Sequence, residues 1–392
     1  MKTVLIASDS YKGAATAAEV CHAIATGIHR ADPSIVVRQL PLADGGEGTV
    51  ETVLAARGGR RVTATVTGVF PGDTVRASYA LLTETTAVIE MAATAGLPLA
   101  AGHLDPGATT TRGVGELIRH AIESGATELL IGAGGSATHD LGLGAAWALG
   151  ARFYTAEGED FIPTGSRLRE LDRVDVSAVA DTLGSARLQV LCDIDNPLTG
   201  PQGATAIFAP QKGATDRQLI DLEAGMVHAE AVIARDTGVS VAQLPGAAAA
   251  GGLAAGLASV AGASVVSGIA TLLDLLAFED QLTDCDVVLT GEGRLDGQSL
   301  SGKVPVGVAR ATRTVAARTG RAIPVIALAG ALGDELEDLY AEGLTAVFPI
   351  GSGPQSLQAA IRQTTDDLTR ESENLFRLLR RVGTIGVPQA SQ

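Results

Sequence analysis

Residues 3–44 read TVLIASDSYKGAATAAEVCHAIATGIHRADPSIVVRQLPLAD. The opening run TVLIAS is short, apolar and polar only at its end, the pattern of a buried parallel strand. ATAAEVCHAIATGIHRA then shows helical periodicity with no internal proline. VVRQLPLAD reads as a second strand. GEGTVETVLAARGG follows as a helix closed by a glycine pair. Strand and helix in alternation predict an α/β layer with a parallel sheet.

Outward from this stretch the pattern changes and then returns. Residues 61–91, RVTATVTGVFPGDTVRASYALLTETTAVIEM, alternate apolar and polar positions, with turn signals at PGD and TET. They predict antiparallel hairpins. Strands ELLIGAGG and LQVLCDIDNPLTG flank the helix LGLGAAWALG. The last third alternates again: CDVVLTGEG, VPVGVARATRTVAARTG, IPVIALAG, AVFPIG and a charged closing helix. The expected fold class is α/β, with a flavodoxin- or Rossmann-like doubly wound parallel-sheet domain and an inserted mixed α/β domain. Residues 1–61 and 269–392 are assigned to the first and 62–268 to the second, with an active-site cleft expected between them.

The bulk composition agrees. The chain has 392 residues, enough for two domains, and is 46% hydrophobic but only 3% aromatic. Its core must therefore be built from Ala, Val, Leu and Ile. A formal net charge of −15 argues against nucleic acid or an anionic membrane as partner. Three cysteines without a C-x-x-C pair argue against a disulfide framework or structural zinc. The N-terminus carries no signal-like segment, and a cytoplasmic protein is expected. Residues 244–266 lack charges but are dominated by Ala and Gly, so they predict a glycine-rich loop entering a packed helix rather than a membrane span.

Five polar, glycine-rich clusters each follow an apolar strand run: ASDSYKG, PLADGGEGT, IGAGGSATHD, LCDIDNPLTG and LTGEGRLDGQSLSGK. In an open α/β sheet such strand ends converge on one crevice. Any single cluster is explained as a turn; five are not. Residues 132–138 could offer backbone N–H groups to phosphate oxygens at the start of the following helix. They lack the third glycine of a dinucleotide fingerprint. Residues 297–304, GQSLSGKV, approach a Walker A motif but place Val304 where a metal-binding hydroxyl belongs. No H-E-x-x-H and no G-x-S-x-G is present. Phosphoryl transfer needs phosphate-binding cations or N–H groups, a carboxylate-held metal and an acceptor for the substrate hydroxyl. The loops supply Lys12, Arg294 and Lys303 as cations, and Asp9, Asp44, Asp193, Asp195, Glu292 and Asp296 as acids. On an extended segment Asp193 and Asp195 would point the same way.

These clusters, in this order, closely resemble the type I glycerate kinase family. The resemblance rests on DSYKG (9–13), ADGGEGT (43–49), GGSAT (134–138), CDIDNPLTGPQGA (192–204), FAPQKGAT (208–215) and TGEGRLDGQSLSGK (290–303). It implies ATP-dependent, Mg²⁺-requiring phosphorylation of D-glycerate to 2-phosphoglycerate. The alternatives are a 3-phosphoglycerate-forming or related hydroxy-acid kinase, and a non-catalytic nucleotide- or metabolite-binding protein. Ser10, Lys12, Asp44, Gly45, Gly46, Glu47 and Arg294 are the expected glycerate-side residues. Gly134, Gly135, Ser136, Thr138, Gly291, Glu292 and Lys303 are expected at the nucleotide. Asp193 is the candidate base, with Asp296 as runner-up and Lys12 and Arg294 as catalytic cations. Asp193 and Asp195 are the candidate metal ligands. Ser8, Tyr11, Ala14 and His139 depart from the family pattern, which commonly has Pro, Phe, Ser and Asn there. His139 lies nearest the presumed phosphate loop, so altered nucleotide affinity and pH dependence are expected from it. Oligomeric state is left open between monomer and homodimer.

Overall fold

The computed structural model describes residues 2–334 and 336–382. Its strands in chain order are β1 (Thr3–Ile6), β2 (Val36–Gln39), β3 (Arg60–Thr67), β4 (Thr74–Leu81), β5 (Thr86–Glu90), β6 (Glu128–Gly132), β7 (Arg152–Tyr154), β8 (Arg173–Asp175), β9 (Arg187–Leu191), β10 (Ser264–Val266), β11 (Val287–Leu295), β12 (Val325–Leu332) and β13 (Ala346–Pro349). The chain folds as two compact units, residues 1–44 with 269 onward, and residues 45–268. This corrects the first boundary, placed at 61/62 from sequence. The helix Thr49–Arg57, which buries Val50 and Val53, packs on β4 and β5. Its apolar face is therefore satisfied by the hairpin sheet, and the glycine loop before it moves to the second unit as well.

The first unit has five parallel strands in the order β13-β12-β11-β1-β2. Counted within the unit this is 2-1-3-4-5, the flavodoxin-like doubly wound order. Alternate residues of the strands face opposite sides. Val4, Ile6, Leu289 and Leu328 pack with Val20, Ile24 and Ile28 of the helix Ala17–Ala31 and with Leu368 and Phe376 of the closing helix Leu357–Val382. Leu5, Val288 and Ala327 take the other face and are fully buried. The helix Val304–Thr319, which buries Val306, Val308 and Val315, packs on β11 and β12. The first helix starts at a capping box, with Thr16 accepting from the Glu19 N–H and Glu19 returning the bond.

The second unit holds a six-stranded sheet, β10-β9-β6-β5-β4-β3, parallel from β10 to β5 and antiparallel across β5, β4 and β3. The hairpins read from residues 61–91 are β3–β4 and β4–β5, and β7 and β8 form a separate antiparallel pair. The uncharged segment 244–266 enters the helix Ala249–Ala261 through left-handed residues Ala250, Gly251 and Gly252. Leu253 and Leu257 of that helix pack on the sheet core, whereas Ala255 and Val260 pack on a second core around Phe153, Leu168 and Ile233. A Cβ on Gly251 would come within 2.0 Å of the Thr138 carbonyl oxygen. Such backbone-to-backbone approach explains why this core is rich in Gly and Ala and poor in rings. Among the described residues no helix is long and apolar enough to cross a membrane. The three thiols are free.

Candidate active site

In the first unit the strand order reverses between β1 and β11, and a doubly wound sheet binds its ligand at the C-terminal ends of such strands. The segment after β1 is held there by backbone. Asp9 donates its N–H to the Gly291 carbonyl at 3.1 Å, and Ser8 Oγ donates to the same oxygen at 3.0 Å. Tyr11 is buried and its hydroxyl donates to the Leu328 carbonyl at 2.7 Å. Two of the departures from the family pattern are thus satisfied by bonds to β11 and β12. Gly291 is buried in that packing: a Cβ there would lie 2.3 Å from the Leu328 oxygen.

Three carboxylates share this end of the sheet. Burial, then the charges of Asp44 and Glu292, holds the Asp9 carboxyl well above the usual carboxylate range, although Oδ1 accepts the Ser10 N–H at 2.6 Å. Burial also raises Glu292. Its Oε2 lies 3.5 Å from Lys303 Nζ and its Oε1 accepts from Ser299 Oγ at 2.5 Å. Lys303 is the N-cap of the helix Val304–Thr319, so the Walker-like stretch does join a strand to a helix, but its lysine is paired with a carboxylate. Arg294 donates from Nε to Asp296 Oδ2 at 2.8 Å, with its side chain 68% exposed. Lys12 is exposed and Ser10 half-buried. Exposed cations above partly buried carboxylates suit a small acid that also carries hydroxyl groups. Asp9 was not assigned a site role from sequence; the signal was its place at the end of the first strand.

In the second unit the loops read as glycerate-side and nucleotide-side are in backbone contact. A Cβ on Gly132 would stand 2.0 Å from the Gly45 oxygen, and one on Gly134 2.6 Å from Gly46 Cα. Only glycine lets residues 45–46 and 132–134 lie this close. Gly134 donates its N–H to the Gly45 carbonyl at 3.4 Å. Glu90, at the end of β5, accepts the N–H groups of Val50, at 2.5 Å, and Gly48. It thereby fixes the 45–48 loop, including Glu47, at the start of its helix. Sequence reasoning missed Glu90 because its partner Val50 is 40 residues away.

The 134–138 loop differs from expectation. No helix begins at it: the next helix is Leu143–Ala148, and Asp140 accepts the N–H groups of Gly142 and Gly144 at 3.1 and 3.3 Å. Those helix-end donors are therefore already engaged. Thr138 is fully buried and its hydroxyl donates to the Ala250 carbonyl at 3.3 Å. Ser136 Oγ, also buried, accepts from Lys212 Nζ at 2.9 Å. Gly134 and left-handed Gly135 remain half-buried at the loop apex. His139 is fully buried, with Nε2 3.0 Å from Thr205 Oγ1. Burial, aided by the Lys212 charge, pushes it down to about 3. It stays neutral near neutral pH and cannot supply the pH dependence expected of it.

Asp193 follows β9 and its Oδ1 accepts from Ser267 Oγ, beyond β10, at 2.7 Å. Asp193 is half-buried whereas Asp195 is exposed, so the pair does not share one environment. Among the described residues no group of three or more His, Cys, Asp or Glu is arranged to hold a metal. Mg²⁺ commonly takes one or two carboxylates and completes its shell with phosphate and water, so this donor set still fits it.

A model of the glycerate kinase family matches residues 4–380. The chain is 42% identical to the glycerate 2-kinase of Escherichia coli K12 over 374 residues, 95% of this chain and 96% of that one. It is 40% identical to a glycerate kinase of Halalkalibacterium halodurans over 377 residues, 96% and 97% of the two chains. A crystal structure from Salmonella typhimurium LT2, described provisionally as glycerate kinase 2, superposes with a TM-score of 0.81 at 40% identity and covers 98% of this chain and 100% of that one. With a 2-1-3-4-5 sheet, acidic strand ends and paired glycine loops in place, the chain belongs to the glycerate kinase family of phosphotransferases.

Proposed function

We propose that this protein transfers the γ-phosphoryl group of ATP to the 2-hydroxyl of D-glycerate, giving 2-phospho-D-glycerate and ADP in the cytoplasm. The observation that carries the reading is the carboxylate group at the β1/β11 switch point, Asp9 with Asp44 and Glu292, beside exposed Lys12 and Arg294. Lys12 and Arg294 pair with the glycerate carboxylate, and Ser10 and Asp44 bond its hydroxyls. The apex of the second unit's loop, Gly134 and Gly135, offers backbone to the nucleotide phosphates.

The glycerate O2 forms a bond to the γ-phosphorus while the bond to the β,γ-bridging oxygen breaks and ADP leaves. The hydroxyl proton passes to Asp193, which Ser267 orients. Asp296, already engaged with Arg294, is less suited to that role. Asp193 and Asp195 would hold Mg²⁺, which offsets charge on the phosphate oxygens. The name of the 42% identical relative, glycerate 2-kinase, supports the 2-position. Coupling the purified protein, ATP and D-glycerate to enolase alone should give signal. Signal that appears only when phosphoglycerate mutase is added would overturn the regiochemistry.

A further inference from the structure

Lys212 is the most deeply buried cation of the second unit, 2% exposed, at the end of a 3₁₀ turn spanning Pro210–Lys212. Its Nζ donates to Ser136 Oγ at 2.9 Å and to the Thr138 carbonyl at 2.7 Å. Both acceptors are neutral and both lie in the 134–138 loop. Among the described residues no carboxylate oxygen lies within ion-pair distance of it. Buried charges are normally paired, since an ammonium taken out of water without a counter-charge is costly. The titratable groups that face Lys212 are His139, which is neutral, and Asp140. Asp140 acts on it only at longer range, because its oxygens accept from Thr111, Gly142 and Gly144. The loop thus rests on a buried amine with no carboxylate within ion-pair distance among the described residues.

We propose that Lys212 is a positioning residue that braces the 134–138 loop from beneath, and that a nucleotide phosphate landing on the loop completes its charge pairing, so that Lys212 takes up a proton from solvent as the phosphate binds. This rests on the reading that residues 134–135 receive the nucleotide. Burial brings the lysine down to about 7, with Asp140 opposing, so near pH 8 most of the free protein carries it neutral. Neutral lysine keeps two N–H donors for Ser136 and Thr138, so the brace survives while the charge waits for the anion. An anion nearby favours the charged form.

The test is calorimetric titration with the slowly hydrolysed analogue ATPγS, without glycerate, in buffers of different ionisation enthalpy at pH 8, where its terminal thiophosphate is already fully ionised. Wild type should take up a substantial fraction of one proton, and the uptake should shrink at pH 6, where Lys212 is already charged. Lys212→Met should abolish it and weaken the analogue roughly tenfold, the worth of one pKa unit, while KM for glycerate stays the same. No uptake by wild type, or undiminished uptake by Lys212→Met, would overturn the proposal. A purely bracing role would lower stability and leave the proton count intact. If Lys212→Met fails to fold, the pH dependence of wild-type uptake still decides. Gly134→Ala separates the two readings: folded variant that binds the analogue as wild type does would remove the nucleotide from this loop, whereas weakened binding by the variant together with no proton uptake by wild type would sink the Lys212 proposal alone.

Discussion

Lys303 and Lys212 each stand beside a glycine-rich loop, one in each unit, and their surroundings are opposite. Lys303 has a carboxylate, Glu292, at 3.5 Å, among the acids at the end of β11 and β1. Lys212 has only a hydroxyl and a carbonyl. The first unit gathers side-chain charge at its strand ends and leaves room beside one glycine there: a Cβ on Gly293 would find its nearest neighbour at 3.6 Å. The second unit brings backbone to its strand ends, with Gly132 and Gly45 in contact, and keeps its cation below the surface. The first arrangement suits an acceptor acid with hydroxyls; the second suits a phosphate chain.

The largest expected effect tests whether Asp193, half-buried just beyond β9, carries the proton. Asp193→Asn should lower kcat by roughly 10²- to 10⁴-fold, the usual worth of a general base. Full turnover in the coupled assay would break that assignment. The packing contrast comes next. Gly132→Ala should cost about 1–3 kcal/mol, as overpacking does, because its Cβ meets the Gly45 oxygen at 2.0 Å. Gly293→Ala should stay within about 0.5 kcal/mol, and equal urea midpoints for the two variants would erase the contrast.

A smaller effect concerns the crowded carboxylates. Asp9 is raised, so between the ordinary carboxylate value and its own the folded state binds more protons than the unfolded chain. Its contribution to stability therefore falls as pH rises through that window. Asp9→Asn keeps the Ser10 bond and removes the repulsion. It should stabilise the first unit by about 1 kcal/mol at pH 8, with the gain vanishing near pH 4, the ordinary value for aspartate. A gain that is constant across pH would show a packing effect instead. Smallest of all, His139→Asn should leave every apparent pKa of kcat/KM between pH 5 and 8 unmoved, since this buried ring is neutral throughout. A shifted limb would contradict its burial.

Much of this was legible. The alternation of TVLIAS, a helix and VVRQ announced the parallel sheet, and the turns at PGD and TET announced the hairpins of β3, β4 and β5. The loop motifs carried the family. The boundary at 61/62 was misplaced because the helix Thr49–Arg57 looks alike in sequence whichever sheet it covers; only its contacts with β4 and β5 decide. The phosphate-loop reading set residues 132–138 at the start of the following helix, but Asp140 takes the N–H groups of Gly142 and Gly144 where that helix begins.

Periodicity and loop chemistry act over a few residues, and so the sequence alone determined the α/β class, the hairpin insertion, the glycine positions and the set of candidate carboxylates. Charge state and accessibility depend on residues brought together from afar. Lys212 meets its acceptors across 74 and 76 residues, and Asp9 meets Glu292 across the whole inserted unit. Which cation is compensated, which carboxylate is raised and which polar residue of GGSAT faces inward were decided only by tertiary structure, because burial and electrostatic neighbours are properties of the folded chain.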